Sequence, residues 1–258
     1  MGFSADTLKG QVAIVTGASQ GIGRAIAVEL AKVGADVVAC SRRRDALEAV
    51  ADEVRAHGRR ALAVACDVGD AKQVDRAVAE TVDAFGRIDL LVNNAGYRIR
   101  APLEDLPREE WDAMVATNLT GVFLFSQAAG RVMIRQRRGK IVNVTSVAGR
   151  TGSRGMAAYA AAKAGATVLT QSLAAEWAKH GILVNAVAPG PTETEGVLEV
   201  WKTPAVIERA AREVPLQRLG RPEEIAWAVI YVASDQANFM TGETVYVSGG
   251  PRMANRED

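Results

Sequence analysis

Tyr159 and Lys163 stand four residues apart in the alanine-rich stretch Ala157–Ala178. Positions i and i+4 share one face of a helix. A free tyrosine has a pKa of about 10 and is a poor acid–base group at neutral pH. A nearby ammonium stabilises the phenolate and lowers that value, so the pair predicts an activated tyrosine. Ser146 closes the apolar run Lys140–Ser146. Open α/β sheets place their ligands at strand ends, and a hydroxyl there can hold and polarise a carbonyl oxygen. Together the three suit hydride transfer between a carbonyl and an alcohol, with a proton moved to or from the oxygen at the same centre.

Such chemistry needs a hydride carrier. Val12–Thr16 runs directly into Gly17-Ala18-Ser19-Gln20-Gly21-Ile22-Gly23. Glycines there allow a tight turn and close approach of the backbone to a pyrophosphate. The helix that follows offers free N–H groups and a positive dipole end to the anion. The context, a first strand-to-helix turn, is the one that confirms a dinucleotide loop. In such folds the residue ending the second strand meets the adenine ribose, and a carboxylate there repels a 2′-phosphate. Ser41 occupies that place, and Arg42, Arg43 and Arg44 follow. An arginine fork matches a phosphate, and one charge-assisted bond is worth roughly 1.5–3 kcal/mol, or about 10- to 100-fold. The expectation is a preference for NADP(H), with NAD(H) usable, and Arg42 as first contact.

The elements that position these residues are legible along the whole chain. Short apolar runs recur at Val12–Thr16, Asp36–Ser41, Ala61–Cys66, Ile88–Asn93, Lys140–Ser146, Leu183–Ala188 and Thr244–Ser248. Near-continuous apolarity is how strands buried on both faces of a parallel sheet read. Between them Ile22, Ala25, Ile26, Leu30 and Val33 recur at helical spacing, as do Ala46, Val50, Val54 and Val74, Val78, Val82, Phe85. Gly34, Gly58, Gly86, Gly139 and Gly181 each precede a strand and mark helix ends. Alternating elements imply an α/β fold: a single-domain Rossmann fold, a doubly wound parallel sheet of about seven strands with helices on both faces. One domain covers 1–258. The segment 191–215 holds Pro191, Pro204 and Pro215, exceeds an ordinary connection and predicts a lid over a ligand.

Composition removes other classes. The chain has 258 residues, 48% hydrophobic and 24% charged, with a net charge of +1. That excludes disorder for most of its length and gives no basic field for nucleic acid or an anionic membrane. No run of about 18 apolar residues predicts a membrane span, and 1–10 lacks a signal pattern. The expectation is a cytoplasmic protein. Cys40 and Cys66 end apolar runs and predict buried strand thiols. His57 and His180 each precede a glycine and predict helix C-terminal cations. The tail Met253–Asp258 is charged and short, and predicts a disordered end.

The order of motifs resembles the short-chain dehydrogenase/reductase family over about residues 8–250. Thr16–Gly23, Asn93-Asn94-Ala95-Gly96, Ser146, Tyr159, Lys163, Pro189-Gly190 and Gly249-Gly250 follow that family's sequence of motifs. The resemblance implies that Ser146 and Tyr159 are catalytic and that Lys163 also binds the nicotinamide ribose. It implies that Asn118, in the next helix, holds a water relaying protons through Lys163. It assigns Gly17, Ser19, Gln20, Gly21, Ile22 and Gly23 to the pyrophosphate loop and Asp67 with Val68 to adenine. It places Asn94, Ala95, Gly96, Pro189, Gly190, Thr192 and Thr194 along the cofactor. Two positions depart from the pattern: Gln20 replaces a basic loop residue, and Thr192 stands where an apolar residue often meets the nicotinamide amide. A homotetramer is implied as well, packed through the Asn118 and Tyr159 helices and through the final strand.

For the substrate, two loops carry arginine beside the reacting centre: Arg98 and Arg100 after the fourth strand, Arg150 and Arg154 after the fifth. Arginine there suits a carboxylate, a phosphate or an acyl-carrier partner. Trp201 of the lid is a further candidate. Arg100-Ala101-Pro102 and Glu176–Gly181 are similar to gluconate 5-dehydrogenases, whereas Ser146–Lys163 is similar to 3-oxoacyl-carrier-protein reductases. The expected substrate is a small polar carbonyl compound such as a sugar acid. The alternative is a 3-oxoacyl thioester on carrier protein or coenzyme A. A different class, a nucleotide sensor without turnover, is opposed by the intact Ser146, Tyr159 and Lys163.

Overall fold

Alternate residues of each inner strand face opposite cores. Ala13, Val15, Val37, Ala39 and Val92 pack into one apolar cluster, while Ile14, Val38, Cys40 and Leu91 pack into another. This double burial explains why the runs read as continuously apolar. The computed structural model describes residues 3–201 and 203–250.

Among these residues the order is β1 (Val12–Thr16), α1 (Gly21–Lys32), β2 (Asp36–Ser41), α2 (Arg44–Ala56), β3 (Ala61–Ala65), α3 (Ala71–Phe85), β4 (Leu90–Asn93), α4 (Arg108–Val115), α5 (Gly121–Gln136) and β5 (Gly139–Val144). There follow α6 (Ala148–Thr151), α7 (Ala157–Trp177), β6 (Ile182–Pro189), α8 (Glu195–Trp201), α9 (Pro204–Arg212), α10 (Pro222–Ala233) and β7 (Thr244–Val247). The sheet is seven-stranded and parallel throughout, in the order β3-β2-β1-β4-β5-β6-β7. Helices α1, α2 and α10 cover one face through Ile26, Leu30, Leu47, Val54, Ile225 and Val229. Helices α3, α5 and α7 cover the other through Val74, Val78, Phe125, Met133 and Leu173. The strand order reverses between β1 and β4, and the crevice at such a reversal is where doubly wound sheets bind ligands.

Several boundaries differ from expectation for local reasons. The fourth strand begins at Leu90, because the side-chain amide of Gln136 takes both the N–H of Ile88 (3.1 Å) and its carbonyl (2.7 Å). The fifth ends at Val144, and Ser146 turns away to accept from the Ala148 N–H (3.2 Å). Gly34, Gly58, Gly86 and Gly181 adopt positive φ as helix-end glycines do. Gly139 does not; it is the first residue of β5, and a side chain there would strike Met133. Arg137 takes the left-handed position instead, with φ 58°. Its guanidinium donates to Nδ1 of His180 (3.1 Å), which ends the short helical turn after α7 and precedes Gly181 as expected. His57 caps α2 as expected. Both cysteines are buried and unbridged, and burial pushes the Cys66 thiol up to about 11. The segment 191–215 folds into α8 and α9. No described helix is long and apolar enough to cross a membrane. The tail Met253–Asp258 lies outside the described residues.

Candidate active site

A cleft of about 930 Å³ opens at the carboxyl ends of the strands. Its floor at one end is the glycine loop. Gly17 has φ +66°, and a Cβ there would lie 2.8 Å from Cα of Ala95, so only glycine lets the β1 and β4 tips touch. The buried Thr16 hydroxyl accepts from the N–H groups of Asn94 and Ala95, both at 3.0 Å. The Asn94 amide donates back to the Thr16 carbonyl (2.9 Å). Ser19, Gln20, Gly21, Ile22, Gly23, Asn94, Ala95 and Gly96 line one wall, and these bonds tie the β1 and β4 tips together beneath it.

Ser41, Arg42 and Arg43 close the same end. The Arg43 guanidinium donates to the Ser19 hydroxyl (3.5 Å) and to the Gln20 side-chain carbonyl. It thereby brings to the glycine loop the cation that Gln20 lacks. Burial and the neighbouring Glu110 push the Tyr97 hydroxyl up from its ordinary value, and the charge of Arg42 opposes them. Asp67 accepts from the Gly69 N–H (2.9 Å), and Val68 lies beside it. At the start of α8, Glu195 accepts from the Gly21 N–H (3.0 Å), so a carboxylate is seated on the first turn of α1. Free N–H groups at a helix start bind anions in this way.

At the other end α7 carries Tyr159 and Lys163. Lys163 is 3% exposed and donates to the Val144 carbonyl (2.8 Å); its Nζ stands 5.8 Å from the centre of the Tyr159 ring. The i, i+4 spacing predicts a tyrosine pulled down by an ammonium, and here the structure corrects it. Burial dominates both groups. It pushes the Tyr159 hydroxyl up from its ordinary value, opposed by a hydrogen bond from Ser146 and by the charge of Arg98. It pushes the Lys163 ammonium down to about 8, because nothing charged compensates its desolvation.

Asn118 is not in a regular α-helix. It lies in a π-helical turn, Ala116–Thr120, between α4 and α5. Its amide donates to the carbonyls of Tyr97 (2.8 Å) and Met114 (3.0 Å), while its Oδ1, fully buried, has no partner among the described residues. Single π turns are frequent at functional sites. A Cβ on Gly96 would lie 2.6 Å from that Oδ1 and 3.4 Å from Lys163 Nζ, so glycine keeps the space beside both groups open.

Pro189 and Gly190 end β6, and the Thr192 hydroxyl, buried, donates to the Gly190 carbonyl (3.0 Å). Thr194 abuts Gly21 across the cleft. Of the candidate substrate residues, Arg98, Arg100 and Trp201 line the wall. Arg150 instead stacks over the Tyr246 ring at 5.1 Å, and Arg154 is exposed outside the lining. Sequence reading missed Met156, Val206, Arg209 and Glu213, which also line the cleft. It missed a buried chain beneath the site as well: Asn93 donates to Asn143 (2.9 Å), and Asn143 to Thr170 (2.9 Å). Asn143 inside an apolar strand was the available signal, since a buried amide needs partners.

The residues present fit a nicotinamide dinucleotide: a glycine loop in close contact, a helix start already holding a carboxylate, arginines at one end and an orphaned amide oxygen at the other. A family model described as enoyl-(acyl carrier protein) reductase matches residues 17–251. The 3-oxoacyl-[acyl-carrier-protein] reductase of Synechocystis sp. is 43% identical over 248 residues, 95% of this chain and 98% of that one. Among solved structures, a short-chain type dehydrogenase/reductase from Mycobacterium marinum has a TM-score of 0.90 at 38% identity, covering 95% of this chain and 97% of that one. An NAD+-bound xylitol dehydrogenase reaches a TM-score of 0.90 at 35% identity, with 94% and 99% covered. The chain belongs to the short-chain dehydrogenase/reductase family, oxidoreductases that use NAD(P)(H).

Proposed function

We propose that the protein is an NADP(H)-preferring reductase that converts the ketone of a 3-oxoacyl thioester, on a carrier protein or coenzyme A, into the secondary alcohol. The observation that carries the reading is the meeting of Ser146, Tyr159 and Lys163 in one wall of a dinucleotide-sized cleft. The thioester is supported by the name and 43% identity of the cyanobacterial relative. It stands ahead of a sugar acid such as gluconate, which rests on short local likenesses.

When bound, the dinucleotide supplies the hydride, or accepts it in reverse. The Ser146 hydroxyl holds the ketone oxygen and polarises it. Tyr159 gives its proton to that oxygen in reduction and takes the alcohol proton in oxidation. Its raised pKa keeps it protonated at neutral pH, which suits the reducing direction. Lys163, titrating at about 8, can exchange a proton near neutrality. The orphaned Oδ1 of Asn118 supports a water site beside it, through which the proton is replaced. Arg42 and Arg43 support the 2′-phosphate preference by lining the adenine end. Helices α8 and α9 act as the lid.

Homotetramer formation belongs to the same reading. Phe123 of α5 and Val168 of α7 are exposed on one side of the sheet, and Trp227, Tyr231 and Tyr246 of α10 and β7 towards its edge. Sedimentation velocity tests this directly.

The reaction is tested by nicotinamide absorbance with acetoacetyl-CoA, 5-ketogluconate and gluconate, using NADPH/NADP and NADH/NAD in parallel. NADPH oxidation with acetoacetyl-CoA is expected. Faster turnover of 5-ketogluconate moves the substrate to the sugar acids. Tight NADPH binding without turnover of any ketone favours the sensor.

A further inference from the structure

Arginines in this protein mostly have work that can be named. Arg24 forks onto Glu53, Arg87 onto Asp89 and Arg218 onto Glu224, with bonds of 2.5–2.9 Å. Arg98 and Arg100 are different. Both line the cleft, and neither forms an ion pair among the described residues. Arg209 of α9 joins them in the lining. The carboxylates in the lining are Asp67, which answers the Gly69 N–H, and Glu213.

The loop that carries them is held in place. The Ala101 N–H donates to the Gly155 carbonyl (3.0 Å), and the stem of Arg100 packs so close that a Cβ on Gly155 would lie 3.2 Å from its Cγ. Arg98 lines the same cleft as Tyr159, and its charge opposes the effect of burial on that hydroxyl. Both guanidinium groups are exposed in the cleft wall and cannot shed their charge, so each is free to pair with an anionic group of a molecule bound there.

We propose that Arg98 and Arg100 form an anion-binding subsite for the substrate, distinct from the Arg42–Arg43 pair at the adenine end, and that the preferred ketone carries a negatively charged group. The inference rests on the ketone-reductase reading for its reaction but not on the identity of the acyl group. The charge has two chemical sources: the carboxylate of a short oxo acid, or the phosphate of a thioester's carrier arm.

The test compares charged and neutral members of two pairs, as ratios of kcat/KM. One pair is acetoacetate and its methyl ester. The other is acetoacetyl-CoA and acetoacetyl-N-acetylcysteamine. The wild type should favour the charged member of one pair by about 10- to 100-fold, the value of a charge-assisted bond. The doubly substituted Arg98→Gln/Arg100→Gln protein should bring that ratio close to one. The pair that responds identifies the source of the charge. Arg98→Gln alone should move the alkaline rise of alcohol oxidation to higher pH, because the phenolate loses a favourable cation.

A binding measurement keeps the subsite separate from the reaction. Malonate and inorganic phosphate are titrated calorimetrically into protein saturated with NADP+. Binding by the wild type that weakens at least tenfold in the double variant supports the subsite even if no ketone on the panel turns over, an outcome that breaks the proposed reaction alone. Equal binding by both proteins, or no binding together with unchanged ratios, overturns the subsite.

Discussion

At the amino ends of the strands, Asp89 is buried and answered on every side. It accepts from the Val12 N–H (3.0 Å) and from both arms of Arg87 (2.7 and 2.5 Å), with Arg138 at 3.7 Å. Lys140 beside it donates to the Ser234 carbonyl (2.6 Å) and lies 3.7 Å from Asp235. A hollow of about 350 Å³ is found there too, but the charges around it satisfy one another. At the carboxyl ends the groups are left open. Among the described residues, Asn118 keeps an oxygen without a partner, Lys163 has one carbonyl and no counter-charge, and Arg98 and Arg100 form no ion pair with a carboxylate. Both ends contain buried or cleft-bound ions, so burial alone does not mark the site. The difference lies in satisfaction: closed networks fix the sheet, and open ones await a ligand.

The largest effect that would sharpen this contrast is at Tyr159. Tyr159→Phe should lower turnover by about 10²- to 10⁴-fold, the usual worth of a positioned acid–base group. Because the open end contributes little to folding, its melting temperature and NADPH affinity should stay near wild type. A variant that unfolds, or that keeps its rate, would break the comparison at its centre.

Asp89→Ala should do the reverse. Removing one partner of a buried pair costs about 3–5 kcal/mol, and the lower end is expected because Arg87 reaches solvent once released. Urea unfolding would read the loss. Turnover per folded molecule should be unchanged, since Asp89 lies at the far end of the strands from the cleft.

Much of the carboxyl end was legible because its signals are local. The glycine loop, the Tyr159–Lys163 spacing and the strand runs are short patterns, and each maps onto one element. What escaped depends on distant residues. Glu195 meets Gly21 across 174 positions of chain, Gln136 replaces the ladder at Ile88, and Arg209 reaches the cleft only because α9 folds back over it. The sign of the Tyr159 shift escaped for the same reason. Spacing shows that Lys163 is near, but only the packed core shows that desolvation outweighs the opposing Ser146 bond and Arg98 charge. The π turn at Asn118 has no sequence signature that helical periodicity could separate from a plain helix.

At the adenine end the comparison predicts smaller, selective effects. Arg42→Ala should reduce the NADPH-over-NADH preference in kcat/KM by about 10- to 100-fold, leaving NADH kinetics close to wild type. Arg43→Ala should cost less, because its guanidinium is already engaged by Ser19 and Gln20 and must give up those bonds to serve a phosphate. Equal use of both cofactors by the wild type would remove the basis for this assignment.

The smallest effect tests whether a closed contact can exist within the open end. Glu195 occupies an N–H of the α1 first turn, where the approaching pyrophosphate also seeks donors. A carboxylate at a helix start is favourable by about 0.3–1 kcal/mol at low salt, yet it repels a second anion over the same distance. Glu195→Gln keeps the size of the side chain and removes the charge. NADPH should then bind about 2- to 5-fold more tightly, and the gain should shrink as salt rises through 0.1 M, where screening acts over about 10 Å. Weaker NADPH binding by Glu195→Gln would mean that the carboxylate orders the lid for the cofactor instead of competing with it, and this bond would then belong with the closed networks at the other end of the sheet.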